Sequence, residues 1–132
     1  MNRSVAIKLL RAASRAARQA HAPYSRFRVG AALLAADGTV FTGCNVENAS
    51  FGLTNCAERG AVFSAIAAGK RKFKAIAIVA GGKRLPYPCG ACRQVLAEFC
   101  GPRFPVLVGT AGKVSSFESL SLGQLLPETF TL

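Results

Sequence analysis

The sequence predicts an α/β fold in which helices cover a five-stranded mixed β-sheet. The first observation is the order of the helix-like and strand-like segments, which run helix, strand, strand, helix, strand, helix, strand, strand. The second is the dipeptide Asp37-Gly38 between two strand-length apolar segments, which predicts a hairpin and so an antiparallel pair. The third is the length of 132 residues, which fits a single domain spanning residues 1–132 without a linker.

The first half of the chain contains a helix, the hairpin and a second helix. Residues 3–19 carry apolar side chains at helical spacing and arginines on the other side, which predicts an amphipathic helix. The hairpin strands are predicted at residues 27–36 and 39–43. A second helix is predicted at residues 57–68, because Gly69 follows it and nearby cations complement the dipole at its end.

The second half contains three further strands and two helices. A compact apolar run predicts the first of these strands, and Gly101-Pro102 ends the helix that follows it. In order, the predicted elements are a strand at residues 73–80, a helix at 92–100, strands at 105–109 and 113–117, and a short final helix at 120–126.

Composition argues against several classes of protein. Apolar residues make up 51% of the chain, but no run reaches the roughly 18 uninterrupted apolar residues of a membrane helix. The first residues lack the continuous apolar segment and cleavage site of a secretory signal. The five cysteines are an odd number, which argues for metal binding or reactivity over disulfides. We therefore expect a cytoplasmic protein with no membrane partner.

The formal net charge of +11, from 17 basic and 6 acidic residues, predicts attraction to polyanions. One interpretation is a nucleic-acid substrate, and the other is a solvated basic surface with incidental affinity. The basic residues are scattered along the sequence, without the interleaved aromatic residues on which bases stack. Nucleic-acid binding is therefore allowed by the charge but not favoured.

Two short motifs, Cys56-Ala57-Glu58 and Pro88-Cys89-Gly90-Ala91-Cys92, carry the candidate chemistry. Three thiolates can hold one zinc ion, and because zinc is normally four-coordinate they leave a position for water, as in catalytic sites. The pattern resembles the signature of zinc-dependent deaminases, in which an acidic residue that is not a ligand transfers protons. A structural zinc clasp is the alternative, but it normally has four ligands, and neither Cys44 nor Cys100 stands at paired spacing. The single histidine, His21, excludes a His-based metal cage.

Helix geometry favours a site of this kind. Cys89 and Cys92 are three residues apart, so in a first helical turn they lie on one face, where free N–H groups favour the thiolate. Glu58 is about 200° around an ideal helix from Cys56, so we expect Cys56 at a non-helical cap position. Three thiolates overcompensate the charge of a dication, and Arg59 is the candidate for the compensating positive charge.

Longer segments of the chain closely resemble the small homotetrameric cytidine deaminases. These segments are residues 22–27, 44–53, 56–59, 88–94 and 125–127. The resemblance implies a three-layer αβα cytidine deaminase-like fold, one zinc ion per chain and assembly as a homotetramer. It also implies a small nucleoside substrate and a pyrimidine salvage reaction: the hydrolytic conversion of cytidine and deoxycytidine to uridine and deoxyuridine with release of ammonia.

By position, the resemblance implies that Cys56, Cys89 and Cys92 are the zinc ligands. Glu58 would take a proton from the attacking water and pass it to N3 of the base and to the leaving amine. One carboxylate would then serve as both general base and general acid.

The resemblance also implies a set of substrate contacts. Phe27 packs on the pyrimidine, Asn45 and Glu47 hydrogen-bond the ribose hydroxyls, and the backbone beside Ala57 reads the base. Phe130 reaches the base bound in a neighbouring subunit. From the residues alone, Phe27 also fits an ordinary strand core, Asn45 and Glu47 fit loop residues that satisfy turns, and Phe130 fits a disordered tail.

Three other functions compete with this interpretation. A related deaminase of the blasticidin type shares the zinc and glutamate pattern, but Asn45 together with Glu47 favours a plain ribose ligand. Editing of cytosine in RNA or DNA would use the positive charge, but it needs a stacking platform that the sequence does not show. The non-enzyme alternative is a zinc-stabilised basic module that binds nucleic acid.

Overall fold

The computed structural model describes all 132 residues and contains the predicted five-stranded mixed sheet. In chain order, the elements are α1 (Arg3–Ala17), β1 (Val29–Ala35), β2 (Val40–Cys44), a single 3-10 turn (Phe51–Leu53), α2 (Ala57–Ala67), β3 (Phe73–Ala80), α3 (Gly90–Phe99), β4 (Pro105–Thr110), β5 (Lys113–Ser121) and α4 (Leu122–Leu125). The sheet order is β2-β1-β3-β4-β5. Strands β3 and β4 are parallel, and every other neighbouring pair is antiparallel.

Most of the predicted elements are present, with shifts at their ends. The hairpin forms at Asp37-Gly38, and Gly38 has the positive φ of 93° that favours glycine in a tight turn. Helix α1 ends at Ala17 instead of residue 19. Strand β1 begins at Val29, so Phe27 lies in the loop before the strand and not within it.

The prediction of a final helix at residues 120–126 is wrong at its start. Leu120 and Ser121 continue the antiparallel ladder of β5 with β4, and this pairing overrides the apolar spacing that suggested a helix. The helix that remains is the single turn α4. Ser121 caps it in a capping box, in which Ser121 and Gln124 each bond the other's backbone N–H.

The sheet separates two layers of helices. Helix α1 lies on one face, where the shared core contains Leu9, Leu10, Ala13, Ala75, Ala77, Val79 and Leu107. Helices α2 and α3 lie on the other face, where the core contains Ala61, Val62, Leu96, Leu33, Ile76 and Ile78. This arrangement confirms the predicted three-layer αβα architecture. None of the helices is both long and apolar enough to span a membrane.

Helix α2 packs directly on the backbone of β2 at Gly43. A Cβ atom at Gly43 would lie 2.4 Å from the carbonyl oxygen of Ala57 and 2.5 Å from the backbone nitrogen of Ala61. No side chain fits this gap, so glycine allows the first turns of α2 to lie against the sheet. The position of the α2 N-terminus therefore depends on Gly43.

Gly43→Ala is expected to lower the free energy of unfolding by about 3 kcal/mol, because the added methyl group collides with backbone atoms that cannot rotate away. Urea denaturation measures the loss. Gly112→Ala is the matched control, because a Cβ atom there meets open space. Equal denaturation midpoints for the two variants would contradict the prediction.

Candidate active site

The N-termini of α2 and α3 meet and bring three cysteines together. Cys56 is the N-cap of α2, with the extended backbone (φ −80°, ψ 156°) that the sequence predicted, and Cys89 is the N-cap of α3. Cys92 lies in the first turn of α3 and is fully buried. The three Sγ atoms lie within 4.8 Å of one another. The backbone of an N-cap residue is not helical, so the side chains of Cys56 and Cys89 are free to turn toward each other from the ends of two separate helices. Cys92 reaches the same place from the first turn of α3.

The sulfur positions fit a zinc ion. Tetrahedral thiolate ligands at about 2.3 Å from zinc place their sulfurs about 3.8 Å apart. The observed Sγ–Sγ distances are 3.8 Å between Cys56 and Cys89 and 3.5 Å between Cys89 and Cys92. The cluster supplies three ligands and leaves the fourth position open, as in catalytic zinc sites.

Glu58 is a buried carboxyl beside this cluster. It lies in the first turn of α2 and is 5% exposed. Burial, together with the negative charge of Cys56, raises the pKa of Glu58 to about 7. Positive charge at the cluster acts in the opposite direction, because it favours the ionised carboxylate. A carboxyl held in this balance can accept and donate a proton near neutral pH.

Glu58→Gln is expected to stabilise the metal-free chain at alkaline pH. Because the pKa of Glu58 in the folded chain lies above its ordinary value of 4.5, the contribution of this carboxyl to stability is fully present below about pH 4.5. It is lost as the pH rises through about 7, and the loss reaches about 3 kcal/mol near pH 8. Urea unfolding of chelator-treated protein near pH 4.5 and near pH 8 measures the effect. A difference between wild type and variant that does not change with pH would contradict it.

Arg59 provides a positive charge at the cluster. Its Nη2 donates a hydrogen bond to Sγ of Cys56 at 3.1 Å. The Cys92 thiol and the Arg59 guanidinium together lower the pKa of Cys56 to about 5, whereas the pKa of Cys92 is raised because its proton is shared with the Cys56 thiolate. The guanidinium therefore contacts one of the three thiolates, and its role in charge compensation stays a prediction.

Asn45 and Glu47 hold the segment that precedes β1. Asn45 is buried, and its side chain accepts a hydrogen bond from the Val29 N–H at 2.8 Å and donates one to the carbonyl oxygen of Phe27 at 2.8 Å. Glu47 accepts hydrogen bonds from the backbone N–H groups of Tyr24 and Ser25 and from the Ser25 hydroxyl. The Ser25 contacts lower the pKa of Glu47, so this side chain remains a carboxylate. Both residues thus have the structural role that the sequence offered as the alternative to ribose binding, with partners 16 to 23 residues away in the chain that it did not indicate.

This segment is tied to the cysteine cluster through the residue between Asn45 and Glu47. Val46 exchanges two backbone hydrogen bonds with Asn55, each 3.0 Å long, and Asn55 immediately precedes Cys56. The predicted ribose contacts are therefore linked to the start of α2 through backbone atoms.

Phe27 has a contact that the sequence analysis missed. Its ring is partly buried, and the guanidinium carbon of Arg84 lies 5.1 Å from the ring centroid. This is the geometry of a cation–π interaction. Arg84 belongs to the loop between β3 and α3, far from Phe27 in the sequence, so no local pattern could have indicated the pair.

The other predicted site residues have separate environments. Ala57 is buried next to Glu58 in the first turn of α2. Phe130 is exposed, and its carbonyl oxygen accepts a hydrogen bond from Nε2 of Gln94 at 3.1 Å, which holds the C-terminal tail against α3. Cys44 and Cys100 lie outside the cluster, and burial raises the pKa of Cys100 to about 12.

A three-layer αβα fold with three convergent cysteines, an open fourth ligand position and a buried carboxyl defines a zinc-dependent hydrolytic enzyme. The family model described as "Cytidine and deoxycytidylate deaminase zinc-binding region" matches residues 3–108. The chain belongs to this deaminase family, which confirms the predicted fold class, enzyme class and zinc cofactor.

Individual relatives cover almost the whole chain. A cytidine deaminase of Sporosarcina psychrophila is 50% identical over 94% of this chain and 90% of its own length. A cytidine deaminase of Halalkalibacterium halodurans is also 50% identical, over 93% and 92%. The crystal structure of a cytidine deaminase from Burkholderia pseudomallei superposes with a TM-score of 0.88 at 49% identity, covering 98% of this chain and all of the other.

Proposed function

We propose that this chain catalyses the hydrolytic deamination of cytidine and deoxycytidine to uridine and deoxyuridine, with release of ammonia. The observation that carries the proposal is the buried Glu58 carboxyl beside three convergent thiolates. Relatives that are 50% identical to this chain over more than nine-tenths of its length are named cytidine deaminases, which supports the choice of substrate.

Cys56, Cys89 and Cys92 would hold the zinc ion, which supplies Lewis acidity for the activation of water. Glu58 accepts a proton from the water that adds to C4 of the base. It passes this proton to N3, then takes a second proton from the hydroxyl now on C4 and delivers it to the exocyclic amine, so that the C4–N bond breaks, ammonia leaves and C4 becomes a carbonyl carbon. Water enters, ammonia leaves, and Glu58 returns to its starting state.

Together with the Cys92 thiol, Arg59 lowers the pKa of Cys56, and its guanidinium offsets the negative charge of the ligand set. Without this offset, three thiolates would reduce the ability of the site to lower the pKa of water. Arg59 therefore supports the chemistry through Cys56 and does not itself transfer a proton.

Substrate binding uses Phe27, Asn45, Glu47 and the backbone beside Ala57. Phe27 packs on the pyrimidine, and the amide and carboxylate groups of Asn45 and Glu47 bind the ribose hydroxyls. Both polar side chains keep capacity for this, because the amide of Asn45 has a second N–H and the carboxylate of Glu47 has further lone pairs.

The proposal also includes a homotetrameric assembly and a cytoplasmic location. The single domain of residues 1–132 forms a homotetramer in which Phe130 contacts the base bound in a neighbouring subunit. The exposed ring of Phe130, on a tail anchored by Gln94, is consistent with a contact outside its own chain. We place the enzyme in the cytoplasm, where a reducing environment keeps thiolate ligands available for zinc.

Ammonia release across a substrate panel tests the proposed function. The panel contains cytidine, deoxycytidine, cytosine, CMP, blasticidin S and a short RNA, each incubated with the zinc-loaded protein. Turnover of the two nucleosides with little or no turnover of the others is the expected result. If cytidine remained unchanged while blasticidin S or RNA was deaminated, the substrate assignment would be wrong.

Arg84→Gln is expected to raise KM for cytidine about threefold and to leave kcat almost unchanged. The guanidinium holds the Phe27 ring by an interaction worth about 0.5–1 kcal/mol, and loss of that restraint weakens stacking on the base. Steady-state kinetics measure both constants. Lys83→Gln, which removes the same charge from the neighbouring exposed residue, is the matched control. An equal rise in KM for both variants would attribute the effect to charge and not to Phe27.

A further inference from the structure

Helix α1 carries a line of exposed basic side chains. Lys8, Arg11, Arg15 and Arg18 are all exposed and follow one another at intervals of three or four residues, which places them on one side of the helix. We call these four residues the basic stripe. Residues 1–36 contain no aspartate or glutamate, so the stripe has no acidic neighbours in its own segment.

The basic stripe has no ionic partner within the chain. The ion pair of this structure joins Lys70 to Asp37, and neither residue belongs to the stripe. Like charges at this helical spacing repel one another and destabilise a helix. An anionic partner bound along α1 would convert this repulsion into attraction.

The stripe borders a concave surface. Lys8 and Arg15 line a cleft of about 960 Å³ between α1 and the exposed side of β2, and Lys74 adds a third cation to its wall. The cleft exists because α1, about 10 Å wide, alone covers one face of a sheet whose five strands are about 4.8 Å apart. Arg18 lines a second cleft together with Arg28. No acidic residue lines either cleft.

We propose that the basic stripe binds the phosphate backbone of a single-stranded nucleic acid without reading its sequence. From Lys8 to Arg18 the helix rises about 15 Å. A strand that runs along the helix over that length brings several phosphates within reach of the four cations. The stripe contains no aromatic side chain to stack bases, so the contact is electrostatic.

Two other occupants fit the stripe less well. A membrane-surface helix inserts its apolar face into lipid, but Leu9, Leu10 and Ala13 of α1 are buried in the core. A second copy of the chain related by a twofold axis would place the stripe against itself, and like charges would repel. The stripe also lies on the sheet face opposite to α2 and α3, so a bound strand leaves the cysteine cluster free.

Fluorescence anisotropy with a labelled single-stranded RNA of mixed sequence tests the proposal on the full-length, zinc-loaded protein. Wild type is expected to bind with a Kd of about 10 µM or tighter at low salt. The triple variant K8Q/R11Q/R15Q is expected to bind about 100-fold more weakly at ~0.1 M salt. The slope of log Kd against log salt concentration is expected to fall by about 2, because three phosphate contacts are removed.

The matched control is R71Q/K72Q/R103Q, which removes the same charge from three exposed residues outside both clefts. It is expected to keep RNA affinity within about threefold of wild type. Both triple variants should retain the wild-type far-ultraviolet circular dichroism spectrum and cytidine turnover. Equal weakening of RNA binding by the two variants would show that binding follows net charge, and the basic stripe would then be rejected as the binding site. Absence of RNA binding by wild type, or stripe-dependent binding to anionic phosphatidylglycerol vesicles that exceeds RNA binding, would also overturn the proposal.

Discussion

Glu58→Gln is expected to lower kcat for cytidine by at least about 10³-fold while zinc remains bound. General acid–base catalysis by one group contributes about 10²–10⁴, and here a single carboxyl handles both the attacking water and the leaving amine. Glutamine keeps the size of the side chain but cannot take up a proton. Ammonia release measures turnover, and inductively coupled plasma mass spectrometry measures the zinc content of the same samples.

Glu98→Gln is the control for this substitution, because Glu98 is an exposed residue near the end of α3, away from the cluster. It should leave kcat and zinc content unchanged. The unchanged zinc content of Glu58→Gln is as important as its lost activity, since it separates proton transfer from metal binding. Full turnover by a zinc-loaded Glu58→Gln protein would remove Glu58 from the mechanism.

Features set by local chemistry could be predicted from the sequence. The hairpin at Asp37-Gly38 follows from the backbone that a tight turn requires, and the structure contains it. The cap position of Cys56 could be predicted because Cys56 and Glu58 would point in nearly opposite directions on an ideal helix. The structure places Cys56 at the N-cap of α2, as predicted. Leu120 shows where this reasoning fails, because its pairing with Val106 depends on a different strand.

Contacts between segments far apart in the sequence could not be predicted. The Asn45 side chain bridges the start of β1, and Arg84 lies over Phe27 from another loop. Neither contact leaves a periodic or compositional signal. The helical spacing of residues 3–19 already predicted arginines on the side of α1 opposite its apolar side chains, and the structure adds the clefts that this side borders. The fold therefore adds contacts at the site, and clefts beside α1, that the sequence motifs do not describe.

Cys92→Ser is expected to abolish zinc binding and reduce turnover to below about 1% of wild type. Cys92 is fully buried in the first turn of α3, and its Sγ lies 3.5 Å from that of Cys89. A serine hydroxyl is not ionised at neutral pH and does not replace a thiolate ligand, so only two ligands would remain. The variant should also unfold at a lower temperature than wild type, because bound metal stabilises only the folded chain. Metal analysis, ammonia release and thermal unfolding measure the three effects.

Cys100→Ser separates the loss of a ligand from the loss of a buried thiol. Cys100 lies at the C-terminal end of the same helix, outside the cluster, and burial holds its pKa near 12, so it stays a neutral thiol. Cys100→Ser is expected to keep one zinc ion per chain and wild-type turnover, with a modest loss of stability from the buried hydroxyl. If Cys92→Ser kept its zinc, or if Cys100→Ser lost it, the metal would be held by a different ligand set. The open coordination position beside Glu58 would then have to be reassigned, because it exists only if the cluster supplies three ligands.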